Sequence, residues 1–205
     1  MQINPHFLYN TLHTIKVLSI MQGVENIQTV TDALSRMIHL NLDIRKLISV
    51  AEEENYLLDY LQIQKYRYAG KFSYRISIED EAKNRFVPKL LVQPIVENAL
   101  QYGIAKSKKL GILQVLIFLE QEKLHILVRN SGPGFPPELL NNQKYCGGIS
   151  KHIGLQNITR RLQLLFGDEA DIRILSGEQL LTSVELILPE LLESEVNLDA
   201  NINCG

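Results

Sequence analysis

Three short segments, in a fixed order along the chain, carry groups that a phosphate-bearing ligand needs. Glu97-Asn98 lies in a stretch whose apolar spacing is helical. Such a pair can offer hard oxygens to Mg²⁺, an ion that normally keeps several of its waters. Asn130-Ser131-Gly132-Pro133-Gly134 follows a strand-like run, and glycines there let the backbone approach a ligand closely. His152-Ile153-Gly154-Leu155-Gln156-Asn157 opens another helical run. The free N–H groups and positive dipole end of a helix N-terminus suit an anion. Taken singly, these segments are ordinary turns and helix faces. Their order joins them into a nucleotide pocket, with residues 134 to 154 as a loop able to close over it. The spacing is neither GxGxxG nor a P-loop, so those two phosphate-binding folds are excluded.

A further candidate stands near the N-terminus. His6 follows Asn4-Pro5, a pairing suited to the N-cap and first position of a helix. Imidazole is nucleophilic when neutral, its usual state near pH 7. Asn10, four residues on and therefore on the same helical face, is the candidate to orient the ring. His13, His39, His125 and His152 have no metal-ligand spacing and read as structural or surface residues.

The elements that must position these groups follow from periodicity. Leu8, Leu12, Ile15 and Ser19, then Ile27, Val30, Leu34 and Met37 after a break at Gly23, predict two amphipathic helices in an antiparallel hairpin. Ser49-Val50-Ala51-Glu52 is a capping-box pattern that opens a third helix, which ends near Gly70. Phe72, Tyr74, Ile76 and Ile78 alternate with polar residues and predict a strand. Lys89 to Leu100 is predicted helical, with a bend at Pro94. Leu113–Leu119 and Leu124–Val128 predict a hairpin, followed by a helix from Leu155 to Phe166 and strands near 171–175 and 183–188. The expected class is α+β, a helical hairpin followed by a two-layer α/β sandwich.

Composition narrows the rest. The chain has 205 residues, 45% of them apolar, and 21 basic against 23 acidic side chains. That excludes disordered and fibrous classes and gives no overall pull toward nucleic acid. No apolar run is long enough to span a bilayer, and the N-terminus is not a signal peptide. Cys146 and Cys204 show no metal or disulfide pattern, so a reduced cytosolic chain is expected.

Gln2-Ile3-Asn4-Pro5-His6-Phe7-Leu8-Tyr9-Asn10-Thr11-Leu12 resembles the phosphoacceptor motif of LytS/YehU-type sensor histidine kinases. Residues Tyr60 to Tyr68 resemble that family's connecting helix, and the three pocket segments resemble the N, G1 and G2 boxes of the Bergerat (GHKL) ATP-binding fold. The resemblance runs from residue 2 to about residue 189. It implies a dimerisation and phosphoacceptor region with its connecting helix at 1–69, an ATP-binding domain at 70–190 and an acidic tail at 191–205.

By position, the resemblance makes His6 the phosphorylated histidine, Asn98 the Mg²⁺ ligand and Glu97 its polarising neighbour. Asn130 stands where the family's aspartate accepts from the adenine amino group, Gly132 and Gly134 leave room for the base, and Gly154 with Leu155 begins the helix facing the phosphates. Gln101 and Tyr102 fall at further nucleotide-contacting positions, and Lys151 or the cluster Lys106, Lys108 and Lys109 is a candidate to offset the charge missing at Gln101. The implied activity is ATP- and Mg²⁺-dependent autophosphorylation of a homodimer, then transfer to a response-regulator aspartate. Such proteins carry sensor and often membrane segments upstream, so the chain is expected to be the output half of a membrane-located phosphoprotein. Several positions depart from the pattern: Phe7 replaces an acidic residue, Asn130 an aspartate, Gln101 a basic residue and Tyr102 a histidine. Asn130 and Gln101 keep open a catalytically weak nucleotide-binding signalling partner; a Bergerat-type ATPase is the more distant alternative.

Overall fold

The computed structural model describes residues 5–107, 109–132, 153–177 and 180–194. Helices α1 (Pro5–Met21) and α2 (Glu25–Leu42) form the predicted hairpin. Gly23 turns the chain at φ +68°, a conformation that glycine adopts freely. The helices run antiparallel, with Lys16 Nζ 2.6 Å from Asp32 Oδ1 across them. A three-residue strand, β1 (Leu47–Ser49), leads into α3 (Val50–Arg67). The capping box is complete: Ser49 Oγ accepts from the Glu52 amide at 3.2 Å, and the Glu52 carboxylate accepts from the Ser49 amide at 3.0 Å. The helix ends at Tyr68, and Gly70 turns the chain at φ +72°.

The main sheet has five strands in the order β2-β4-β5-β7-β6. They are β2 (Phe72–Ile78), β4 (Gly111–Glu120), β5 (Lys123–Asn130), β6 (Asp171–Gly177) and β7 (Leu180–Pro189). β2 and β4 pair in parallel and the other neighbours are antiparallel. The β4–β5 connection is tight, with Gln121 and Glu122 both at positive φ, as a two-residue hairpin turn requires. Leu113, Val115 and Ile117 of β4, Leu124, Ile126 and Val128 of β5, and Val184, Leu186 and Leu188 of β7 point to one face by period two. That face packs against α3, α4 (Gln93–Asn98) and α5 (Ile153–Phe166), forming the expected two layers. Leu57, Tyr60 and Leu61 of α3 belong to this same core.

Two features depart from the sequence reading. β3 (Phe86–Pro88) pairs antiparallel with β1, a contact between distant segments that neither three-residue run signals by itself. Residues 89–92 are not helical. α4 begins only at Gln93, so Pro94 sits in its first turn, where the missing N–H costs nothing, and produces no bend. At its other end the helix widens into one π turn, Ala99–Gly103, followed by a 3₁₀ turn at Ile104–Lys106.

Candidate functional site

The site forms where the apolar face of the sheet gives way to polar residues. Asn130 continues the inward series Leu124, Ile126, Val128 by one more step of two, and its register partners are Leu113 and Thr182. Asn130 is 5% exposed and Thr182 4%. Thr182 Oγ1 has no hydrogen-bond partner among the described residues. A buried hydroxyl without a partner costs free energy, so such a group is an opening for a ligand or an ordered water.

The second wall is α4 and its π turn. Asn98 is half-buried, and its Nδ2 is also without a partner among the described residues. Gly154, in the first turn of α5, stands directly beside it; a Cβ there would lie 3.3 Å from Asn98 Nδ2 and 3.7 Å from Pro94 Cβ. A side chain at 154 would therefore crowd the Asn98 amide, and glycine avoids that contact. The floor is closed by two glycines in contact. A Cβ at Gly132 would come within 2.7 Å of the Gly103 backbone, and one at Gly103 within 2.2 Å of Asn130 Nδ2. A larger residue at Gly132 would move the strand end off the π turn, whereas one at Gly103 would displace the Asn130 amide.

Asn98, Asn130, Gly132 and Gly154 are thus linked, partly through Gly103, although they come from three separated segments. Leu155 follows Gly154 and is buried in the core, so its part in the site is to anchor the α5 N-terminus. Glu97 is exposed on α4, and its charge helps push the buried Tyr60 hydroxyl of α3 above its ordinary pKa, after burial itself. Gln101 is exposed and Tyr102 half-buried on the π turn. Gly134, Lys151, and the expected lid at 134–154 up to residue 152 lie outside the described residues.

The sequence reading missed Gly103 and Thr182. A glycine ending a helical run was the available signal for Gly103. Thr182 carried none, because only the strand register places it opposite Asn130.

His6 and Asn10 stand apart from this pocket in the sequence of elements, on α1, which packs on α2. Both are exposed, and Asn10 Nδ2 lies 3.4 Å from His6 Nδ1, one helical turn away. The amide suits either tautomer. With Nδ2 toward the ring it donates to an unprotonated Nδ1; turned over, its Oδ1 accepts from Nδ1–H and leaves the lone pair on Nε2.

The family model for histidine kinase matches residues 1–72, which include the His6 helix, the hairpin and α3. Over 189 residues the chain is 31% identical to sensor histidine kinase YesM of Bacillus subtilis (strain 168), covering 92% of this chain and 32% of that protein. It is likewise 31% identical over 207 residues to sensor protein LytS of Bacillus anthracis, covering 98% of this chain and 35% of that one. Over nearly its whole length the chain is similar to sensor histidine kinases, and its first 72 residues match the histidine kinase family.

It spans about a third of the length of these relatives. Solved structures agree on the fold of the chain. The catalytic domain of histidine kinase ThkA superposes with a TM-score of 0.54 at 16% identity, over 72% of this chain and 97% of that one. Histidine kinase AdeS of Acinetobacter baumannii gives 0.52 at 12% identity, over 91% and 95%.

One buried ionisable group of the chain lies behind the site. Glu53 of α3 is 2% exposed and accepts from the amides of Leu90 at 2.9 Å and Val92 at 2.8 Å. Burial pushes its carboxyl up to about 7, against the opposing pull of those amides and of Arg161. Because the folded state raises this pKa, the stabilisation is complete below the ordinary carboxyl value and is lost as pH rises through about 7. Urea unfolding is expected to show the chain less stable at pH 8 than at pH 5, by at most about 3 kcal/mol from this group. A Glu53→Leu variant whose stability falls equally steeply over that range would assign the dependence elsewhere.

Proposed function

We propose that the chain is the cytosolic catalytic core of a two-component sensor kinase, which transfers the γ-phosphoryl group of ATP to His6 and then to an aspartate of a response regulator. The observation that carries this reading is the pairing, within one chain, of an exposed His6–Asn10 helical turn with a glycine-floored site holding two polar groups, Asn98 Nδ2 and Thr182 Oγ1, that have no hydrogen-bond partner among the described residues. In the transfer, a ring nitrogen of neutral His6 forms a bond to the γ-phosphorus as the bond to the bridging oxygen breaks and ADP leaves with that electron pair. Attack through Nε2 needs the proton on Nδ1, and the Asn10 amide, with Oδ1 toward the ring, holds that tautomer.

Asn130 and Thr182 would bind the adenine edge at the end of β5 and β7. Gly132 and Gly103 let the end of β5 and the π turn close against each other beneath it. The amides opening α5 at Gly154 and Leu155 would face the phosphates. The residues present fit a Mg²⁺-bound triphosphate: Asn98 has a neutral amide whose Nδ2 finds no partner among the described residues and whose Oδ1 would hold the ion, and Glu97 is beside it. Mg²⁺, when bound, neutralises charge on the phosphates. Residues 1–69 would serve dimerisation and phosphoacceptance, and 70–190 nucleotide binding. Ile15, Val17, Leu18, Ile20 and Met21 leave α1 with an exposed apolar surface, which supports a homodimer packed as a bundle. The whole protein would reach the membrane through segments upstream of this chain.

The test is incubation with radiolabelled ATP and Mg²⁺, with acid-labile label on the chain as the readout. A weak signalling partner that binds nucleotide without turnover is the second reading, favoured by the neutral Asn130. A carboxylate there would make a charge-assisted bond, roughly twice as strong as a neutral one. Asn130→Asp is therefore expected to tighten ATP binding about fivefold by calorimetry. Equal affinities would remove this account of the substitution.

A further inference from the structure

Residues 89–92 form a strap on which three helices meet. From α3, Glu53 grips it through the Leu90 and Val92 amides, with the Leu91 amide facing the same carboxylate. From α5, Arg161 Nη1 donates to the Lys89 carbonyl at 2.7 Å. The strap in turn reaches back to the hairpin: Lys89 Nζ donates to the Leu40 carbonyl at 3.0 Å and to that of Asp43, at the end of α2. Leu90 sits at φ +60°, an unfavourable conformation for a branched side chain that persists because these contacts over-determine it.

α4 starts from this strap, with the Val92 carbonyl accepting from Ile95 and Val96, and it is only six residues long. A helix that short has no independent stability, so its placement is inherited from what precedes it. Its last residue is Asn98.

We propose that Glu53 is a positioning residue: through the 89–92 strap it sets the placement of Asn98, and with Lys89 it couples the end of α2 to the pocket. The proposal rests on the reading of that pocket as a nucleotide site. Glutamine is a demanding substitute, because its NH₂ turns a donor toward a backbone N–H and leaves that amide without an acceptor.

The experiment follows hydrogen exchange of the 205-residue chain with and without Mg²⁺ and ADP, for wild type, Glu53→Gln and Lys89→Met. In the wild type, nucleotide is expected to slow exchange at 93–103 and also at 38–46. In Glu53→Gln, exchange at 93–103 is faster before nucleotide is added, the affinity for Mg²⁺ and ADP falls about tenfold, and the slowing at 38–46 is lost. Lys89→Met keeps the affinity within about twofold but loses the slowing at 38–46. A folded Glu53→Gln chain with wild-type affinity and wild-type exchange at 93–103 would overturn the proposal. If Glu53→Gln does not fold, slowing at 38–46 that persists in Lys89→Met overturns the coupling, and its loss supports it. If the wild type binds no ADP, the nucleotide reading falls by itself. Exchange at 93–103 in the unliganded Glu53→Gln chain then still decides the positioning claim, faster supporting it and unchanged refuting it.

Discussion

Replacing His6 with alanine is expected to abolish acid-labile phosphorylation of the chain while leaving its nucleotide affinity unchanged. The phosphorus–nitrogen bond of phosphohistidine is cleaved by acid, whereas serine and threonine esters survive it, so the lability itself reports the acceptor's chemistry. His6 is exposed in the first turns of α1 and makes no part of the hydrophobic core. Its loss therefore costs the fold little. Asn10→Ala should behave differently. It removes one neutral hydrogen bond at 3.4 Å, a loss of up to about 1.5 kcal/mol, so labelling continues at about a tenth of the wild-type rate or faster. Acid-labile label persisting undiminished in His6→Ala would refute the assignment of the acceptor.

The second large effect is expected at Asn98. Asn98→Ala should lower the labelling rate about a hundredfold, the scale seen when one preorganised polar group is removed from a phosphoryl-transfer or oxyanion site. Stability is expected to move the other way. Asn98 Nδ2 is a buried donor with no partner among the described residues, and deleting such a group relieves a desolvation cost of about 1–3 kcal/mol. A variant that melts no lower than wild type but phosphorylates a hundredfold more slowly is the pattern of a residue kept for activity at the expense of the fold. Thermal melts and initial labelling rates on the same preparation check both halves. A variant that loses stability and activity together would make Asn98 a structural residue.

What could be read before folding was what repeats locally. The hairpin helices, the Ser49–Glu52 capping box, the strand alternation of β2, β4 and β5, and the three pocket segments are all written within a few residues. What could not be read depends on contacts between distant segments. β1 and β3 are three residues each, too short for a period, and each exists because the other is there. Leu90, Leu91 and Val92 looked like one side of a helix because they are apolar together, but Leu91 and Val92 are buried in a strap whose amides are spent on Glu53. Glu53 itself reads as an ordinary first-turn acid after a capping box. Only the strap, 37 residues away in the chain, reveals its use. In the site, Asn130 was visible in its motif, whereas Thr182 had to wait for the β5–β7 register.

The burial of α3 in the core of the sandwich bears on how this chain could be cut and rejoined. Leu57, Tyr60 and Leu61 are shared with the sheet, β1 is hydrogen-bonded to β3, and the Leu191 carbonyl accepts from the Phe86 amide. The transplantable module therefore begins near Ile44, a 95% exposed residue between α2 and β1, and runs through Leu191. A chimera spliced there keeps α3 in the core and gives up the α2 contacts of Met37 and Leu40 with it, whereas one spliced at Gly70 strips a whole helix from it and leaves the strap before Asn98 without Glu53.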